Sequence, residues 1–204
     1  MAKRFPNAPS ILRAAIEAGC LPDSAEVKRN GQALWVSDEL HHTVWIEKVP
    51  DGQMRWSLNV GDAKFGHALE KYGRMAVRLR GVQRVTLWPA EIDESFTSSL
   101  ELQIGAAAHF VHDRADLCEL FASPEDVRRG EVYAWLPLAN YPARLVQALV
   151  LAGDMQRRDL ETAIRRKLAV GSVEFPDGDT LDVGESATRW AKTFSRALEL
   201  DIRL

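Results

Sequence analysis

Between Met54 and Val60 the chain alternates without a break. Met54, Trp56, Leu58 and Val60 are apolar, and Arg55, Ser57 and Asn59 between them are polar. A period of two is the repeat of a β-strand, whose successive side chains point to opposite faces of a sheet. The segment therefore predicts a strand with one buried face.

Its neighbours extend the sheet. Ala33–Ser37 and Thr43–Val49 are β-branched and aromatic, and the polar run Asp38 to His42 separates them. Pro50-Asp51-Gly52 is a turn signal. Met75–Arg80 and Arg84–Trp88 read as a further hairpin joined by Gly81-Val82-Gln83, with Pro89 at its end. Leu100, Leu102 and Ile104 also alternate, which favours a strand over Phe96–Ile104.

Helical spacing governs the rest. Ser10 is read as the N-cap of a short helix ending at Gly19, and Asp62–Tyr72 as another with Phe65, Leu69 and Tyr72 on one side. Ala106–Phe121 is read as one helix with Phe110, Leu117, Leu120 and Phe121 near one face. Pro142 suits a helix start, Leu145, Leu149 and Val150 form its stripe, and Gly153-Asp154 reads as its end and a new N-cap. Leu160, Ile164 and Leu168 mark the second arm of an αα-hairpin. Pro176-Asp177-Gly178-Asp179 is the turn of a small hairpin, and Ser186 is read as the cap of a last helix carrying Trp190, Phe194 and Leu198.

The order is a helix, a sheet of hairpins in residues 33–90, then a mainly helical C-terminal third. That is an α+β arrangement with an antiparallel sheet, favoured over a doubly wound parallel one. The 204 residues are expected to form one domain, with 123–140 the best place for a subdivision.

A net charge of −3 and a pI near 6.0 argue against bulk nucleic acid or an anionic membrane as the main partner. The basic start, Met1 to Pro6, is not followed by an apolar run, so no signal peptide is expected. No apolar stretch approaches the roughly 20 residues that span a bilayer. Cys20 and Cys118 carry no motif and are read as reduced, buried thiols of a cytoplasmic protein.

Motifs of known chemistry fail on specific residues. Gly61 to Gly66 has the glycines of a phosphate loop, but His67 and Ala68 stand where its Lys and Ser/Thr would be. Asp177 to Asp182 fails as a calcium loop, because Leu181 falls on a ligand position and Asp182 on the required glycine. His41 and His42 are adjacent, so a strand or turn turns them to different sides. His109, His112 and Asp113 would share a helix face, which allows two imidazoles and a carboxylate to meet, although the zincin spacing is missing. No nucleophile elbow, Cys-His signature or dinucleotide fingerprint occurs. No cofactor and no metal is assigned.

Charge is segregated instead. Residues 71–84 hold five basic residues and no acidic one, whereas 91–126 hold nine acidic residues against one arginine. Arg78 and Arg80 would leave one face of their strand, with Arg84 and Trp88 on the same side. Such a face suits phosphates, carboxylates or single-stranded nucleic acid, or is simply solvated. Six tryptophans are many for this length, and Trp45, opposite Val44 and Ile46, is a candidate interface anchor.

These features favour a non-enzymatic bacterial protein-binding module using Arg78, Arg80, Arg84, Trp88 and Trp45. Over the first half, the order helix, three strands, short helix, two strands resembles type III secretion chaperones, and small immunity proteins use comparable α+β folds. The resemblance is one of element order and implies a protein that escorts or neutralises a protein partner. Two other readings stand beside it. One is an enzyme with a dispersed site, with or without a metal, using His109, His112 and Asp113. The other is a single-strand nucleic-acid binder through the basic hairpin, the less favoured given the net charge.

Overall fold

The computed structural model describes residues 7–48, 54–69, 76–81, 94–175 and 177–204. Helix α1 (Ala8–Glu17) starts one turn earlier than Ser10. Asn7 is its cap, the side-chain oxygen accepting from the Ser10 N–H at 3.0 Å, and Pro9 lies in the first turn, where its missing N–H costs nothing. Gly19, at φ 73°, ends it.

Strands β1 (Glu26–Val27), β2 (Gln32–Ser37) and β3 (Leu40–Lys48) follow, each antiparallel to the next. Ser37 pairs with Leu40, so the turn is only Asp38-Glu39. The rest of the polar run belongs to β3. Leu40, His42, Val44 and Ile46 form one buried row of that strand, and its first apolar member fixes where it begins. Strand β4 (Met54–Asp62) is the alternating segment, with Trp56, Leu58 and Val60 buried and Arg55 exposed.

A short helix α2 (Gly66–Leu69) and strand β5 (Ala76–Gly81) come next. The expected partner strand, Arg84–Trp88, lies outside the described residues. Phe96–Ile104 is helical rather than extended. Helix α3 (Glu94–Leu100) runs into a π-helical turn, Glu101–Gly105, and then α4 (Ala106–Ala108). The buried positions Phe96, Leu100, Ile104 and Ala107 are spaced four, four and three apart, whereas Leu102 is 65% exposed. The alternation at 100, 102 and 104 was therefore coincidental.

The single helix expected over Ala106–Phe121 is also interrupted. Residues after Ala108 leave the helix, and α5 (Arg114–Phe121) restarts with Asp113 as its cap. Strands β6 (Val127–Arg129) and β7 (Val132–Trp135) complete a seven-stranded sheet of order β1-β2-β3-β4-β5-β7-β6.

Helices α6 (Tyr141–Asp154) and α7 (Arg158–Leu168), the hairpin β8 (Ser172–Glu174) and β9 (Thr180–Asp182), and helix α8 (Val183–Leu198) form the last third. The second arm of the αα-hairpin does not begin at Asp154, which closes α6. Three residues intervene and Arg157 stands at the cap of α7. Asp182 rather than Ser186 caps α8, its carboxylate accepting from the Glu185 N–H at 2.7 Å. The fold is α+β, with an antiparallel sheet and a helical C-terminal region.

Two compact units are assembled from interleaved stretches. Unit 1 takes Met1–Val60, Arg78–His112 and Arg128–Ala134; unit 2 takes Gly61–Val77, Asp113–Val127 and Trp135–Leu204. Unit 1 is the sheet with α1, α3 and α4. Unit 2 is organised around α6, whose residues Tyr141 to Ala152 are all buried because α5, α7 and α8 pack around it. Among the described residues no helix is long and apolar enough to cross a membrane.

Candidate ligand-binding cleft

Unit 1 carries a cleft of about 450 Å³, within the range of small-molecule sites. Three loops and strand ends build it. The stop of α1 at Gly19 turns Cys20 and Leu21 inward, where they form an apolar floor. The end of β2 contributes Trp35 to the wall and Ser37 and Asp38 to the rim. The break after α4 brings His109 and His112 to the opposite rim, with Val111 buried between them.

The Asp38-Glu39 turn has an unusual backbone. Both residues are left-handed, at φ 48° and 63°, as a two-residue hairpin requires. Asparagine, aspartate or glycine normally takes the first place and glycine the second, so Asp38 suits its position and Glu39 carries the strain. That conformation directs Asp38 to the cleft rim at the end of a rigid hairpin.

Behind the wall stands His42, 1% exposed. Its ring stacks on Trp35 at 4.6 Å between centroids and 9° between planes. Its Nδ1 has no hydrogen-bond partner. Burial, with smaller effects from His41 and His109, lowers its pKa to about 4, against opposing effects of the Leu40 backbone and Asp38. His42 is therefore neutral at pH 7. The Cys20 thiol is pushed up from its ordinary value, first by burial and then by the negative charge of Glu101. Cys20 and Cys118 are both free and buried.

The chain matches no family model, no curated protein and no solved structure. The residues themselves must carry the functional reading.

Of the histidine set read from the sequence, His109 and His112 line one cleft and Asp113 is not among its lining residues. Asp113 is occupied as a helix cap, accepting from the Asp116 N–H at 2.8 Å. The three do not share a helix face, since His109 ends one helix and Asp113 precedes the next. Among the described residues no group of three or more His, Cys, Asp or Glu side chains is arranged to hold a metal ion.

The basic strand lies elsewhere on the sheet. Arg78 is exposed, its Nε donating to Asn59 Oδ1 at 3.4 Å, and Arg80 is half-buried. Trp45 is half-buried on β3, opposite the buried Val44 and Ile46. None of these three lines the cleft. Arg84 and Trp88 lie outside the described residues.

Unit 2 holds a buried charge cluster that the sequence reading passed over. Arg114 donates from Nε to Asp62 Oδ2 at 2.6 Å and from Nη1 to Asp154 Oδ2 at 2.8 Å, and Lys64 meets the other Asp154 oxygen at 2.5 Å. Asp62 is fully buried and also accepts from the Phe65 N–H at 2.7 Å. Burial acts to raise the Asp154 carboxyl, but Lys64 and Arg114 together outweigh it and hold it below its ordinary value. This cluster ties β4's last residue to α5 and the end of α6, a structural task. A second cavity in unit 2, about 340 Å³, is lined by Phe65, Asp154, Arg165 and the C-terminal tail. Arg165 donates to the Arg203 carbonyl at 3.0 Å and holds that tail.

Proposed function

We propose that the protein binds a small organic molecule in the cleft of unit 1, with His109 and His112 as its hydrogen-bonding and proton-transfer groups. The observation that carries the reading is the convergence of two imidazoles, the Asp38 carboxylate and the Trp35 indole on one cavity of about 450 Å³. An apolar floor with a few convergent polar groups is the usual composition of such sites. Imidazole is the side chain most often used to pass protons, and a carboxylate nearby orients or neutralises what it works on. The reading revises the dispersed-site enzyme by dropping Asp113 and the metal.

A thermal-shift screen of fragment-sized molecules tests it. Hits are expected whose stabilisation is lost in both His109→Ala and His112→Ala. Hits that stabilise the variants as well as the native protein would place binding elsewhere and sink the reading.

A protein-partner role for β5 is the second reading, motivated by exposed Arg78 and half-buried Trp45, with Val36 61% exposed on β2. Charge reversal of Arg78 and Arg80 should then release a stoichiometric partner captured from native lysate. Retention of the same partner by the reversed variant would count against it. The two free thiols support a cytoplasmic setting for either role.

A further inference from the structure

Resting on the cleft reading above, we infer that its ligand is a small organic cation, an ammonium on an apolar or aromatic body. Among the described residues that line the cleft, Asp38 is the one formally charged side chain, with no lysine or arginine beside it. An anion would meet a carboxylate with no counter-charge, whereas an ammonium finds in Asp38 a charge-assisted hydrogen-bond acceptor. The Glu101 carboxylate is near enough to act on Cys20 in the floor.

The walls supply the rest of the recognition. Trp35 has one ring face covered by the parallel His42 ring, so the part of the indole that lines the cleft is what a ligand meets. Indole is the best aromatic partner for a cation and an equally good surface for an aromatic ring. His42, buried behind it, stays neutral at pH 7 and adds no positive charge to repel the ligand. Leu21 and Val111 offer apolar contact for the ligand body. Ser37, His109 and His112 on the rim complete the polar contacts. A site that is apolar below, aromatic on one wall and carries a carboxylate at the rim suits a cation with a hydrophobic tail better than its neutral or anionic analogue.

Calorimetric titration with three matched probes tests the inference: 2-phenylethylammonium, 2-phenylethanol and 3-phenylpropanoate. The ammonium should bind about three- to fivefold more tightly than either analogue, the size of an ion pair to an exposed carboxylate. Asp38→Asn should remove that advantage, so that the ammonium and the alcohol bind with similar affinity. Trp35→Leu should weaken all three. Equal or tighter binding of the alcohol or the carboxylate, lost on His109→Ala, would overturn the cation and leave the cleft standing. Binding of none of the three would overturn the inference, while hits of another kind in the screen would still uphold the cleft. A native-like circular dichroism spectrum of each variant shows that the loss is not one of folding.

Discussion

Acid should destabilise this protein through His42, and the size follows from its burial. The ring is 1% exposed with an unpartnered Nδ1, and its pKa falls from an ordinary 6.5 to about 4. The unfolded chain takes up its proton as pH drops through 6.5, whereas the folded chain resists until about 4. Stability from this group is therefore greatest above pH 6.5, falls between 6.5 and 4, and is level below that. A shift of this size amounts to roughly 3 kcal/mol in all, of which about 2 kcal/mol is lost between pH 7 and pH 5. Asp154 and Asp159, both held below their ordinary range, lose their contributions only at lower pH and leave this window to the histidine. His42→Leu isolates the effect. Removing the unpartnered nitrogen relieves about 1–3 kcal/mol and losing the Trp35 stack costs about 0.5–1.5 kcal/mol, so stability at pH 7 should rise by about 1 kcal/mol. Urea unfolding followed by circular dichroism at pH 7, 6 and 5 reads the difference. The variant should lose about 2 kcal/mol less than the native chain between pH 7 and 5. Identical losses in the two proteins would refute the reasoning, because the titrating group would then be another one.

The other predictions concern packing and buried charge. Asp62→Asn leaves Arg114 with Asp154 as its carboxylate partner and should cost about 1–3 kcal/mol in urea unfolding; no measurable cost would mean that the Asp62 pair is hydrated. Gly31→Ala places a Cβ 2.9 Å from the Ala8 Cβ and 3.2 Å from the Ile46 carbonyl oxygen, at φ 82°. It should destabilise by about 1–3 kcal/mol, and unchanged unfolding would show that α1 shifts freely. Cys118, whose Sγ donates to the Ala148 carbonyl at 3.3 Å and whose pKa burial pushes up to about 12, should resist alkylation at pH 8 until the protein is denatured. Rapid modification of the native protein would contradict its burial.

The periodic parts of the fold were legible because burial on one face leaves a period. Strand β4, the α6–α7 hairpin and the β8–β9 turn all follow from spacing. The misreadings arose where a short pattern fits two periods. Leu100, Leu102 and Ile104 alternate, yet Phe96 and Ala107 show that the true spacing is helical. Caps were displaced for a local reason: Asn7 and Asp182 stand upstream of Ser10 and Ser186 and reach the free N–H groups first. Two of the buried polar residues were readable by parity. His42 falls in the row of Leu40, Val44 and Ile46, and Asp62 in the row of Trp56, Leu58 and Val60, so each was bound to face inward. The cleft was not readable. Cys20, Trp35, Asp38 and His109 come from three separated segments, and only the sheet and the break after α4 bring them together.

The central claim is that His109 and His112 share a ligand site with Trp35. Proton NMR of the histidine rings and tryptophan indoles, with 2-phenylethylammonium added stepwise at constant pH, tests it most directly. Signals of His109, His112 and Trp35 should move together and saturate, while His67, exposed in unit 2, stays fixed. If the three do not move, or if all histidines drift alike without saturation, the cleft is not a site for this ligand.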